Sequence, residues 1–303
     1  MGIFANPLTD LLEYEDFSRD FLKGTDPVGM TGCIDSEKVH FMSTFLGEKK
    51  VQLVVTYNEQ RAREIEEDYK LFCSQVYVIP PRDLIFFSAD LQGNAIIAER
   101  MKAFAALYQN EAKVIITTID ALMSAAVPFE QLMSHVIKLK EGDELDLEKL
   151  KHDLTVMGYE RVGRVEEPGQ FTVHGGIADV YPLTMEVPVR IELWGDEIDT
   201  IRCFEPQSQR SMDQIESVSV FPAAEVIADD TARRRAVGMI QNELESQLAV
   251  FKKVKEPDKA KRLREETNRI LEALGEEVVL EAPDSYISYF YPRTVRLSEY
   301  FDE

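Results

Sequence analysis

The sequence predicts a mixed α/β chain: an α/β domain built on a parallel sheet, an inserted antiparallel α+β hairpin domain, and a helical return. Three observations predict it. Short apolar runs at Val51–Thr56, Gln75–Ile79 and Lys113–Thr118 alternate with helix-periodic segments, the grammar of a βαβαβ unit. Past Pro128 the pattern changes to short period-two strands separated by turn residues. From Ala232 to Gly275 almost every residue is a helix former. A chain of 303 residues is long enough for two such domains, or three small ones.

Taken in order, VQLVVT at Val51–Thr56 reads as a strand buried on both faces. Asn58 caps the helix that follows, in which Ala62, Ile65, Tyr69 and Phe72 share a face while Glu64, Glu66, Glu67 and Asp68 meet water. Pro80 and Pro81 stop the second strand, and Ala95–Tyr108 reads as a helix before the third strand. A short helix through Ala121–Ala126 closes this part. The insert, from Pro128 to Phe221, opens with a charged helix, Leu145–Met157, ended by Gly158. Strands are expected at Gln170–Val173, Ile177–Tyr181, Val189–Trp194 and Glu197–Phe204. In the helical return Leu244, Leu248 and Phe251 form one stripe and Pro257 interrupts. Val278–Glu303 alternates apolar and polar residues.

Composition narrows the function classes. With 34 Lys+Arg against 55 Asp+Glu, the formal charge is −21, opposite in sign to what phosphate neutralisation needs. Net charge therefore predicts negligible DNA binding by this chain. Cys33, Cys73 and Cys203 are odd in number and widely spaced, which argues against a disulfide framework or a cysteine metal site and for a reducing, cytoplasmic setting. His40, His135, His152 and His174 show no metal-ligand spacing. No run of about 18 apolar residues occurs, so no membrane contact is expected.

Two segments could carry chemistry. Gly29-Met30-Thr31-Gly32-Cys33-Ile34-Asp35-Ser36 has the outline of a phosphate-binding loop, but G-x-x-x-x-G-K-[ST] is met only at Gly29 and Ser36. Ile34 takes the place of the second glycine, and Asp35 that of the phosphate-reaching lysine. At about 4 Å and an effective dielectric near 20, exchanging that attraction for a repulsion is worth several kcal/mol. The second segment is the hairpin Val189–Asp199. A two-residue turn at Gly195-Asp196 would pair Leu193 with Ile198 and Glu192 with Asp199, placing Val189, Ile191, Leu193 and Ile198 inward. Arg190, Glu192, Trp194, Glu197 and Asp199 would then share an outer face. An arginine and the sole tryptophan among carboxylates have the composition of an interface anchor, or of a solvent face with cross-strand ion pairs.

The residues Glu166-Glu167-Pro168-Gly169-Gln170-Phe171-Thr172-Val173-His174-Gly175-Gly176-Ile177-Ala178-Asp179-Val180-Tyr181-Pro182, with Val189–Asp199 and Gln209-Arg210-Ser211, resemble the UvrB-homology module of the bacterial transcription-repair coupling factors (Mfd). The resemblance extends along the chain. Gly29–Ser36 falls where the repair helicase UvrB has a working P-loop, and Ala89–Met101 where UvrB inserts an aromatic DNA-wedging hairpin that is missing here. It implies a RecA-like domain with a degenerate loop, discontinuous over 1–127 and 222–303, and an inserted domain over 128–221 that docks UvrA. It also implies an amino-terminal part of a larger protein, whose motor, RNA polymerase-binding and regulatory domains would follow. Double-stranded DNA and RNA polymerase would be met by those domains, and ATP with magnesium used only there, leaving this part without a cofactor. Carried over residue by residue, Arg190 and Glu192 match a family strand that contacts UvrA, Trp194 a position usually aromatic, and Phe171 and Gly175 the preceding strand and turn. His174 and Thr172 depart from arginines in the family and in UvrB. The reading is a non-catalytic UvrA-docking module. The alternative is a UvrB-like ATP-dependent helicase or ATPase, which Ile34, Asp35, the missing hairpin and the net charge oppose.

Overall fold

The computed structural model describes residues 8, 14–24, 27–46, 51–82, 91–227, 229–275 and 286–301. The chain divides into two compact units, Met1–Pro81 with Ala106–Leu122, and Arg82–Ala105 with Met123–Glu303. The hairpin-rich insert and the helical return fall in the same unit. Residues 83–90, which include the first two positions of the segment Ala89–Met101, lie outside the described residues, as do 276–285, 302 and 303, which take in part of the predicted alternation Val278–Glu303.

The first unit opens with α1 (Tyr14–Lys23) and α2 (Asp35–Ser43), whose aromatic residues Tyr14, Phe17, Phe21 and Phe41 pack together with Phe45. Then come β1 (Gln52–Thr56), α3 (Glu59–Lys70), β2 (Val76–Ile79), α4 (Leu91–Tyr108), which runs on from the second unit, β3 (Val114–Thr118) and the short α5 (Ile119–Met123). Asn58 caps α3 as expected, its side chain accepting from the Arg61 N–H at 2.8 Å. The three strands are parallel in the order β1-β3-β2, with Leu53 opposite Ile115 and Val78 opposite Ile116. The central strand β3 is buried throughout. β1 departs from its prediction: it is an edge strand, with Leu53 36% and Val55 43% exposed. An unbroken apolar run records side-chain chemistry and says nothing of whether a strand is central. Tyr69 of α3, buried beside Ala62 and Ile65, fastens helix to sheet by donating to the Gln52 side chain at 3.1 Å.

The second unit contains β4 (Ala125–Ala126), α6 (Phe129–Met133), β5 (Ile137–Lys140), α7 (Leu147–Val156), β6 (Glu160–Arg161), β7 (Gln170–His174), β8 (Ile177–Val180), β9 (Val189–Trp194), β10 (Glu197–Phe204), β11 (Ser211–Gln214) and β12 (Ser217–Val220). The helices α8 (Asp230–Lys253), α9 (Pro257–Gly275) and α10 (Ile287–Phe290) follow, then β13 (Val295–Arg296). Six strands form one sheet in the order β11-β10-β9-β8-β7-β6, antiparallel except where β6 meets β7. Asp146 starts α7 by accepting from the N–H groups of Glu148 and Lys149 at 2.9 and 3.1 Å. The helix lays Leu150 and Leu154 on the inner face of the sheet, against Phe171, Val180, Val189, Ile191 and Ile201, all fully buried. That inner face is the core of the insert, and it leaves the other face of the same strands outward.

Gly158 ends α7 at φ +91°, and a Cβ there would stand 2.8 Å from the Ala224 Cβ. Gly158→Ala should cost about 2–3 kcal/mol through left-handed strain and overlap together, read as a fall in the denaturant midpoint. Beyond β12 the chain is locked down by Glu225, which is buried with Arg100 and paired also with the half-buried Arg82. Arg100 Nε donates to Glu225 Oε1 at 2.5 Å and its Nη2 to Oε2 at 3.1 Å, while Arg82 Nη2 also reaches Oε2. Burial alone would raise the Glu225 pKa; the two guanidiniums overcome it and bring it down to about 2.

Candidate functional site

The outer face of the six-stranded sheet is organised by the β9–β10 hairpin. Gly195, at φ +66°, turns the chain, with Trp194 opposite Glu197 and Leu193 opposite Ile198. The register then shifts. Glu192 pairs with Thr200, Ile191 with Ile201 and Arg190 with Arg202, because Asp199 is an extra residue in β10. The expected Glu192–Asp199 pair is therefore corrected to Glu192–Thr200. The bulge restores Ile201 to the inner face beside Ile198, so both isoleucines of β10 stay in the core.

Two cross-strand rows run over the outer face. The first reads Thr172, Asp179, Arg190, Arg202 and Gln214 from β7 to β11, and the second His174, Ile177, Glu192 and Thr200. Arg190 is not the free side chain that alternation alone predicts. Its Nε and Nη2 donate to the two carboxylate oxygens of Asp179 at 2.8 and 2.7 Å, and its guanidinium lies 4.8 Å from the centre of the Phe204 ring. Asp179 is buried and Arg190 half-buried. The hydrogen bonds to Asp179 raise the arginine pKa against the opposing effect of burial. Gln209, held at φ +60°, braces this cluster by donating to the Val165 and Pro206 carbonyls at 3.0 and 2.7 Å. Arg190 thus positions the sheet as much as it offers a contact.

Phe171 needs the plainer correction. It sits on the inward row with Val173 and is fully buried, so it packs the core and cannot meet a partner from the outer face. Thr172 and His174 take the outward positions of that strand. His174 is exposed, and Thr172 is covered beside Asp179. Glu192 accepts from the Thr200 hydroxyl at 3.2 Å and stays half-exposed. Trp194 is 83% exposed, with Ile177 and Met212 also open to solvent. Arg202 was missed by sequence reading. It lies directly across from Arg190, has no carboxylate within ion-pair distance among the described residues, and its buried Nε lacks a hydrogen-bond acceptor. The lone aspartate in the apolar run Ile177–Tyr181 signals a cation beside it, which is Arg190; Arg202 has no such signal in the sequence.

The degenerate loop is placed in the first unit. Gly29, Gly32 (φ +83°) and Ile34 lead directly into α2, where Asp35 and Ser36 are its first residues. Asp35 bonds Lys38 at 3.1 Å and pairs with Arg61 at 3.4 Å, which lower its pKa in that order. Glu37 turns back to accept from the Ile34 N–H at 3.0 Å. The helix start, where a phosphate would seat, has the Glu37 carboxylate on its Ile34 N–H and carries Asp35 in the same first turn. Among the described residues no cluster of His, Cys, Asp or Glu is arranged to hold a metal, and no helix is long and apolar enough to cross a membrane.

The sheet packs one face into the core and leaves on the other an exposed tryptophan and an arginine without a carboxylate partner among the described residues, and residues 137–225 match the UvrB interaction domain family. That match contains every strand of the six-stranded sheet. Over nearly the whole chain the similarity is to transcription-repair-coupling factors. The protein of that name from Bacillus subtilis (strain 168) is 30% identical over 301 residues, 97% of this chain and 25% of the relative. Those of Staphylococcus haemolyticus (strain JCSC1435) and Staphylococcus epidermidis (strain ATCC 12228 / FDA PCI 1200) are 33% identical over 231 residues and 29% over 316, covering 75% and 99% of this chain and 19% and 26% of theirs. The chain spans about a quarter of the length of the curated relatives it matches over nearly all its residues.

Proposed function

We propose that the chain is a non-catalytic docking module of transcription-coupled DNA repair that recruits UvrA to RNA polymerase stalled at a lesion, by presenting the face UvrB would present. The observation that carries this reading is the outer sheet face, inside the segment that matches the UvrB interaction domain. Its exposed Trp194 stands beside half-exposed Glu192, with Arg202 left without a carboxylate partner. Aromatic and arginine side chains of this kind dominate interface energies when a partner desolvates them. The contact set is Trp194, Arg202, Glu192 and His174, with Arg190 supporting it from beneath. In this reading residues 1–127 and 222–303 are a discontinuous RecA-like domain and 128–221 the insert. The protein is cytoplasmic, and RNA polymerase and the DNA motor are handled by parts of the relatives outside the matched quarter.

The same reading makes the degenerate loop inert. With Asp35 and Glu37 at the helix start, nucleotide would meet two negative charges, which supports docking over a UvrB-like ATPase. Calorimetry with ATP and magnesium should show no binding in the micromolar range; a micromolar complex would favour the ATPase. The docking role is tested by capturing purified UvrA on the immobilised chain with UvrB as competitor. UvrA should be retained and UvrB should displace it.

A further inference from the structure

The α8–α9 hairpin carries a charge distribution opposite to that of the chain. Between Lys252 and Arg264 there are seven Lys and Arg against two carboxylates, in a protein of net charge −21. All seven cations are exposed. Lys259 is paired with Glu256 at 2.8 Å and Lys261 with Glu265 at 3.8 Å. Lys252, Lys253, Lys255, Arg262 and Arg264 have no carboxylate within ion-pair distance among the described residues. Lys255 adopts φ +57° at the bend and Pro257 opens α9, so the two helix ends bring their cations to one apex.

The apex also stands clear of its anchor. The buried residues of α8 are Ala232, Ala236 and Ile240, all in its first half, and those of α9, Thr267 and Leu274, lie in its second. From Ile240 to Lys253 the helix advances by about 20 Å at ~1.5 Å per residue. That is more than twice the screening length of about 8 Å at physiological ionic strength. Charges at the base of the hairpin are therefore screened from a ligand at its tip, where the seven cations outnumber Glu256, Asp258, Glu265 and Glu266.

We propose that this apex binds the phosphate backbone of duplex DNA, independently of the sheet face and of the UvrA reading. Unpaired lysines and arginines are point-charge donors that neutralise phosphates without reading bases. Phe251 alone among the residues lining the cleft is aromatic, which gives no row of rings on which successive bases of a single strand could stack. The cleft of about 730 Å³ between the helix ends is lined by Lys252, Lys255, Lys261 and Arg264 against Glu256 and Glu265, a net positive wall for an anionic backbone. The inference revises locally what net charge predicts globally.

The test is fluorescence anisotropy of a labelled 20-base-pair duplex with the 303-residue chain at 50–200 mM salt. A complex is expected at the low end, with a log–log salt slope of about −3 to −4.5 for three to five neutralised phosphates. Lys252→Glu/Lys253→Glu/Lys255→Glu should weaken it at least tenfold, as should Arg262→Glu/Arg264→Glu on the facing helix, at unchanged melting temperature. Arginine at the three lysine positions should preserve it. No complex at 50 mM salt, or one indifferent to both reversals, overturns the proposal. Binding to polyglutamate without binding to the duplex also overturns it and assigns the apex to an acidic protein.

Discussion

Glu225→Gln should be the most damaging single substitution in the second unit, costing about 3–5 kcal/mol. It removes a carboxylate shared by Arg82 and Arg100, and Arg100 is fully buried. The glutamine keeps the shape, so the loss is that of charge compensation rather than packing. The same triad sets a pH dependence. The Glu225 pKa is depressed from an ordinary 4.5 to about 2, so its contribution is complete above the unfolded-state value and is lost as pH falls through the folded one. Urea midpoints measured between pH 6 and pH 2.5 should fall for the parent and fall less for the variant. Parallel curves would show that the triad contributes no charge-dependent stability.

Asp179→Ala should cost about 3 kcal/mol, lowering the melting temperature by roughly 6–12 °C for a unit of this size. The aspartate is buried and neutralises Arg190, which faces Arg202 across the hairpin. Without it two guanidiniums confront one another with no carboxylate between them. Arg190→Ala should destabilise at least as much, since it leaves the buried Asp179 carboxylate without the guanidinium that compensates it. Arg190 is consequently a poor probe of docking, because a lost partner and a loosened sheet would read alike. Calorimetric melting of both variants checks the order.

The insert was legible because its strands alternate cleanly and its turns carry Gly195 and Gly175 at positive φ. Val189–Trp194 and Glu197–Phe204 are found at the predicted boundaries. What alternation could not show was the extra residue Asp199, since a bulge leaves the pattern of β9 intact and shifts only its partner. It also could not separate an outward side chain from a free one. Arg190 points outward and is nonetheless engaged by Asp179, a residue on a different strand that pairs with it only through the three-dimensional register. Phe171 was taken into the contact set by resemblance, although its own parity in β7 put it with Val173 in the core. The edge position of β1 was not legible either, because strand order in a parallel sheet is fixed by crossovers that composition does not encode.

In the function proposed above, UvrA meets the outer face of the β7–β10 sheet. The most direct measurement is the affinity of UvrA for the chain by calorimetry, compared between the parent and Trp194→Ala. Trp194 is exposed and supports no packing, so the variant should melt with the parent, while its affinity falls by at least about thirtyfold, some 2 kcal/mol. A folded Trp194→Ala chain that binds UvrA as tightly as the parent would contradict the assignment of this face.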